Sequence, residues 1–555
     1  MRSLALAVVC AAAGLHAADP APVAFRSFEY TGRDPVFAEP LPQGSFQNPI
    51  LAGFYSDPSI CRVGDDYYLI NSTFSYYPGI PVFHSKDLVN WTQIGNVIHR
   101  PSQLPYDGLG VSRAIFAPAI SYHNGTYYVV CTMVDAGGNF LVTAKNPAGP
   151  WSDPIWYDFE GIDPSLFFDE DGRAWLVNNG APDEKPRYEG HRAIWIQEFD
   201  PKTNQLIGER KVIVNGGVDI SKKPIWIEGP HLYKREGWYY LCCAEGGTSE
   251  GHSQVILRSR AVTGPYVPWE GNPILTQRDL DGKAAPAVTS TGHADLVIGP
   301  DGQWWSVFLA CRPYGPNYYN TGRETFLLPV EWTDDGWPRI LPPGVRVPYQ
   351  VPAPKLAGSE KPRKAPLPLT GNFTLREEFT GPELGGHWMM LRTPKSKWYT
   401  MGAQGGGLAI TPRADPLSGT GNPSWLGRRV QHLHFDAITE LVPPTGAGVS
   451  AGVAVFQGEK HHYYLGVRQM GEQRTLFLEQ ANGKPPVVLA TKPLPAGEGV
   501  LKLKVVSDGP TISFYAARGS GPFEAVLENA DGKILSTRVA GGFVGAMIGP
   551  HARLE

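Results

Sequence analysis

Asp57, Asp163 and Glu228 lie far apart in the chain, yet each stands within two residues of a proline that opens one recurring pattern: an apolar run, a Gly or Asp turn, then an aromatic strand. The pattern spans residues 53–69 and returns at 116–130, 162–177, 227–241 and, more loosely, 292–309. Carboxyl groups gathered in one pocket with aromatic walls are the minimum set for breaking a glycosidic bond. One holds a proton for the leaving oxygen while another, ionised, activates water or attacks carbon. A third acid nearby raises the pKa of the proton donor by like-charge repulsion. In a single copy, an acid next to proline would read as a turn former. Three acids at an equivalent position of a repeat read as a site.

Positioning these acids requires an architecture that brings equivalent points of a repeat together. The prolines Pro58, Pro118, Pro164 and Pro230 are 60, 46 and 66 residues apart, and His293 follows after another 63. Irregular periods of this size, built from hairpins, predict a five-bladed β-propeller. With each copy as the innermost strand of a blade, Asp57, Phe116, Asp163, Glu228 and His293 are expected to meet at one equivalent position round the axis. The composition agrees with an all-β fold: of 555 residues, 64 are Gly and 52 Pro, and only 18% are charged. A net charge of −4 supplies no electrostatic reason to expect nucleic acid or an anionic membrane as partner.

The propeller is expected over residues 46–344. Residues 345–369, rich in Pro, Lys and Ala without periodicity, read as a semi-rigid linker. Residues 370–555 alternate as short strands and suit an antiparallel β-sandwich of jelly-roll or lectin type. Residues 1–18 read as a secretory signal, with Arg2, an apolar run and small residues before Asp19, which predicts a secreted or periplasmic protein. The five cysteines beyond it are odd in number and lack metal-ligand spacing, so they read as buried thiols. The acidic run Asp169, Glu170 and Asp171 reads as a solvated hairpin turn, and Glu189 and Glu245 carry no repeat logic.

At these motifs the chain resembles the family 43 glycoside hydrolases, specifically the two-domain β-xylosidase and α-L-arabinofuranosidase members. The resemblance runs over nearly the whole chain, through FHSKDLVNW, IDPSLFFDEDG, EGPHLY, GHADLV and GRETFLLPVEW to LGRRVQH and VAGGFVGAMIG. It implies Asp57 as general base, Asp163 as modulator of pKa and orientation, and Glu228 as general acid. It also implies that His293 sits beside a central water or a structural divalent cation such as calcium, and that Arg323 donates to substrate hydroxyls. Phe74 is implied to line the sugar pocket. Where the family usually has Trp-Ala-Pro, this chain has Phe116, Ala117 and Pro118, which leaves a smaller sugar platform without an indole N–H.

The implied activity is exo-acting release of pentose from xylo-oligosaccharides or arabinoxylan-derived chains, without a cofactor for the chemistry. The β-xylosidase and α-L-arabinofuranosidase readings both stand. A non-catalytic carbohydrate-binding propeller is the reading from another class, and the presence of all three acids argues against it. Acids on opposite walls of a funnel predict single displacement with inversion. The sandwich is expected to pack on the propeller and wall one side of the pocket, with Arg428 and Arg429 in its polar segment.

Overall fold

The computed structural model describes residues 20–284, 286–355, 367–402, 407–471, 473–494 and 499–555. The signal-like segment 1–18 and the middle of the expected linker lie outside the described residues. The protein is built from strands. Among the described residues the helices are three 3-10 turns and one α-turn, Thr537–Ala540.

Five antiparallel sheets form the blades of a propeller, each made from strands in chain order, the first blade passing over the short strand Tyr76–Tyr77. Their first strands are Ser59–Val63, Ala114–His123, Ile162–Phe168, Glu228–Arg235 and Thr289–Ile298. These five touch one another in ring order, first to second and so on, with the fifth closing on the first. Two of the tight hairpins behind them carry the backbone that such turns need. Asn124 and Gly125 have φ of 46° and 76°, and Glu236 and Gly237 have 52° and 72°. Two consecutive positive φ angles match the twist of the flanking strands. Closure of the ring is reinforced by Asn48, whose side-chain amide donates to the Leu327 carbonyl and accepts from the Leu327 N–H, both at 2.9 Å. One side chain thus substitutes for a strand partner along the fifth blade.

The second unit is a sandwich of an eight-stranded and a six-stranded sheet. Strands such as His434–Leu441 and Leu501–Asp508 alternate buried and half-buried residues with period two, as a sheet with one covered face requires. Its eight-stranded sheet contains a strand from the opposite end of the chain. Val23–Gly32 lies between Leu408–Ile410 and His434–Leu441, and also pairs with Thr374–Glu377. The sequence reading assigned these residues to neither unit.

The expected linker is strapped down over its first part. Gln350–Pro352 pairs with Ser45–Gln47, and Val347 and Val351 are buried in the propeller core. The two units share backbone as well as side chains: Tyr76–Tyr77 of the propeller pairs with Met390–Leu391 of the sandwich. Between them Arg312 bonds Asp34 at 2.5 Å and Glu324 at 2.7 Å, all three buried. Arg428 and Arg429 are buried in this junction rather than at the pocket. Arg429 donates to the Phe54 carbonyl at 2.7 Å and lies 4.0 Å over the Tyr55 ring.

One further sequence expectation is corrected. Asp169 is not solvated; it is buried and accepts from Lys234 and Tyr239 of the next blade, each at 2.6 Å. Glu245, for which the sequence left surface and supporting positions both open, is buried and accepts from the Val218 N–H at 3.0 Å. The described cysteines are free thiols, four buried and Cys61 half-buried.

Candidate active site

Every blade turns inward at one residue with left-handed backbone. These are Asp57, Ala117, Asp163, Gly229 and His293, with φ of 51°, 35°, 56°, 54° and 50°. A left-handed conformation is unfavourable for residues other than Gly, and it persists where surrounding structure over-determines it, commonly at functional sites. In blades two to five the inward turn coincides with a register shift of the first strand: Phe116 to Ala119, Ile162 to Ser165, Glu228 to His231 and Gly292 to Asp295. The expected equivalence is therefore corrected by one residue in two blades. Phe116 and Glu228 precede the turning residues Ala117 and Gly229 instead of occupying that position. The five side chains still reach one pocket.

That pocket has a volume of about 500 Å³ and is lined by Asp57, Phe116, Asp163, Glu228, His293 and Arg323 among others. Asp57 accepts from the Arg323 guanidinium at 2.9 Å and from the Ser72 hydroxyl at 2.6 Å. Ser72 is itself oriented by the Ala117 N–H, 2.7 Å from its oxygen. Burial alone would raise the Asp57 pKa, but Arg323 and these hydrogen bonds hold it below the usual carboxylate range. Among the described residues, the Asp163 carboxylate accepts only from the Gly229 N–H, at 3.1 Å. Burial and the negative charge of Asp57 push it up to about 7. Glu228 has no hydrogen-bond partner among the described residues. Burial, then Asp163 and Asp57, push it well above the ordinary glutamate value. At neutral pH the pocket thus holds one ionised carboxylate and one carboxylic acid.

His293 is buried and kept neutral by that burial, its pKa lowered to about 4, with Nδ1 4.0 Å from Asp57. Asp57 already receives Arg323 and Ser72. No group of three or more His, Cys, Asp or Glu side chains among the described residues is arranged to hold a metal ion.

The aromatic wall differs from expectation. Phe74 is only 1% exposed and does not line the pocket. It backs Phe116, 5.3 Å away edge-on, and Phe543, 6.2 Å away and stacked. Phe543 belongs to the sandwich, and it lines the pocket. Its loop is locked to the propeller: its N–H donates to Ser112 at 3.0 Å, and Ala546 N–H donates to the Asn320 carbonyl at 2.8 Å. Backbones meet closely there, since a Cβ on Gly545 would stand 2.5 Å from the Thr321 carbonyl oxygen. Sequence reasoning missed Phe543, although glycines at 541, 542 and 545 around a single aromatic mark a loop built for close approach. It also missed Arg192, Trp226 and Thr248, which line the pocket; the Thr248 hydroxyl accepts from Arg323 at 3.1 Å.

Residues 46–338 match the description "Glycosyl hydrolases family 43", and residues 376–553 match "Beta xylosidase C-terminal Concanavalin A-like domain". The chain belongs to glycosyl hydrolase family 43. Among similar proteins, a xylosidase/arabinosidase of Butyrivibrio fibrisolvens is 39% identical, over 91% of this chain and 95% of its own. A non-reducing end alpha-L-arabinofuranosidase of Bacteroides ovatus is 36% identical over 92% of each chain. Among solved structures, a GH43_12 protein retrieved from a capybara gut metagenome superposes with a TM-score of 0.89 at 42% identity, over 96% of this chain and all of the other. A xylan beta-1,4-xylosidase from Bacillus halodurans gives 0.81 at 34% identity, over 92% and 96%. Family 43 membership makes the protein a glycoside hydrolase with a propeller and a concanavalin A-like sandwich.

Proposed function

We propose that the enzyme releases single pentose units, foremost β-1,4-linked xylose, from the non-reducing ends of xylo-oligosaccharides or arabinoxylan-derived chains. The observation that carries this reading is the division of protonation states across one pocket. Asp57 is held ionised by Arg323 while Glu228 keeps its proton. Asp57 takes a proton from water as the water oxygen forms its bond to the anomeric carbon. The glycosidic C–O bond breaks, and the Glu228 proton passes to the leaving oxygen. Asp163 supplies negative charge that keeps the Glu228 proton in place. Phe116 and Phe543 offer apolar faces to the bound ring.

A pocket floored by the propeller ring admits a chain end rather than threading a polymer, which supports exo action. Release of α-L-arabinofuranose is the second reading, favoured by the name that the Bacteroides ovatus relative carries. The polymeric source of such substrates and the signal-like residues 1–18 support export from the cytoplasm.

Inverting hydrolysis leaves room for water between the carboxyls, roughly 6.5–9.5 Å, whereas a retaining pair stands about 5 Å apart. Asp57 and Glu228 come from the first and fourth blades, which are not neighbours in the ring. Proton NMR of a β-xyloside digest is therefore expected to show α-xylose before mutarotation. The β-anomer appearing first overturns the mechanism. Glu228→Gln and Asp57→Asn are each expected to lower kcat on xylobiose by about 10³-fold or more with the fold intact. Near wild-type turnover in either variant removes the assignment.

A further inference from the structure

The general acid marks the side of the pocket on which the leaving group lies, because its proton must reach the glycosidic oxygen. Two residues before Glu228 stands Trp226, a bulky side chain on left-handed backbone with φ of 47°. Such a residue in that conformation is an outlier that its surroundings must enforce. The enforcement comes from the third blade. Trp226 N–H donates to the Gly190 carbonyl at 3.0 Å, and the Tyr188 hydroxyl donates to the Pro224 carbonyl at 2.9 Å. From the same third-blade loop Arg192 lays its guanidinium 4.1 Å over the Trp226 ring, and both residues line the pocket.

Arg192 is unlike the other pocket cations. Arg323 is paired with Asp57, and Arg113 with Asp135. The Arg192 side chain forms no ion pair and no hydrogen bond with any described residue; its Nε, like that of Arg323, is buried without a partner, but Arg192 has no other group engaged. A guanidinium offers only donors, and stacking on an aromatic face leaves its N–H edges free to point elsewhere. A buried donor left unsatisfied is unfavourable, so a position like this suits an acceptor that arrives with the substrate.

We propose that Arg192, stacked on Trp226, is a specificity-determining residue that binds hydroxyl oxygens of the leaving-group sugar. The inference rests on the hydrolase reading above and adds the side of the scissile bond on which that sugar is recognised. The pair selects glycosides whose aglycone is itself a sugar over those with a plain aryl group. Arg192 also lies near enough to Glu228 to act on its proton affinity, so the test must separate the two effects.

The test compares wild type with Arg192→Ala and Arg192→Lys on xylobiose and on p-nitrophenyl β-xyloside, with arabinobiose and the aryl arabinofuranoside as the parallel pair. Thermal unfolding of each variant serves as the folding control. The kcat/KM on the disaccharide is expected to fall at least tenfold further than on its aryl partner, mostly through KM. Xylobiose should also bind Glu228→Gln more tightly than the double variant Glu228→Gln/Arg192→Ala in calorimetry. Equal losses on both substrates, with the alkaline limb of the pH profile displaced upward on both, overturn the proposal and give Arg192 a purely electrostatic role. Equal losses accompanied by a lowered unfolding temperature in both variants overturn it in favour of a structural role. A wild-type enzyme inactive on every pentoside overturns the functional reading itself, and the sugar assigned to Arg192 falls with it.

Discussion

Of the three repeat-borne carboxyl groups in the pocket, Asp57 alone is bonded to a guanidinium, that of Arg323, and Glu228, whose carboxyl has no hydrogen-bonding partner among the described residues, retains its proton at neutral pH. Asp163 matters most through this charge balance. Replacing it with Asn removes a negative neighbour of Glu228, which lowers the Glu228 pKa. The alkaline limb of kcat/KM is therefore expected to move to lower pH. An unmoved limb in a rate profile of Asp163→Asn shows that Asp163 acts by other means. The same substitution has a signature in stability. An aspartate whose pKa rises from 3.8 to about 7 on folding takes up a proton in the native state that the unfolded chain has lost. Stability from this group is full below pH 3.8 and declines as pH rises through 7. Asn cannot ionise, so Asp163→Asn is expected to unfold roughly 2–5 °C above wild type at pH 8, with the difference vanishing near pH 3.5. Calorimetric scans at the two pH values check this.

The decisive element outside the propeller is the loop that carries Phe543. Its path depends on backbone contact at Gly545, where any side chain meets the Thr321 carbonyl. Phe543→Ala is expected to lower kcat/KM by about tenfold, and Gly545→Ala to lower it at least as far by displacing the ring, since small misplacements weaken a positioned site strongly. Activity unaffected in both variants means that the sandwich does not contribute to the pocket. The repeat was legible because prolines recur beside apolar strands, and the catalytic acids stood out for the same reason. Which of the two residues before Pro118 and Pro230 turns inward was not legible from the repeat alone. Before Pro118 neither Phe116 nor Ala117 favours the left-handed backbone, and the register of the neighbouring strand decides between them; before Pro230, Gly229 is the residue that adopts it without steric cost, a signal the repeat pattern passed over. Phe74 and Phe543 were exchanged in importance because burial depends on the second unit, whose contribution comes from more than 200 residues further along the chain. The strand Val23–Gly32 looks like any half-buried strand, and nothing local names partners near residue 440.

Across the whole molecule the two units behave as one body joined by a buried ion network and a shared strand pair. Arg312 compensates Asp34 and Glu324, both buried, and also donates to the Gln431 carbonyl of the sandwich at 2.8 Å. Arg312→Leu strands two carboxylates and is expected to destabilise by about 3–5 kcal/mol. The midpoint of urea unfolding reads this out, and an unchanged midpoint means that the network contributes little. The placement of Val23–Gly32 has a temporal consequence. During synthesis this strand emerges roughly 400 residues before its neighbour His434–Leu441, a delay of about 20–80 s at ordinary elongation rates. Throughout that interval the propeller can close on itself while an apolar strand waits beside it without its permanent partner. The first strand made is thus among the last to be seated, and the chain fastens its two ends together only when the final sheet forms.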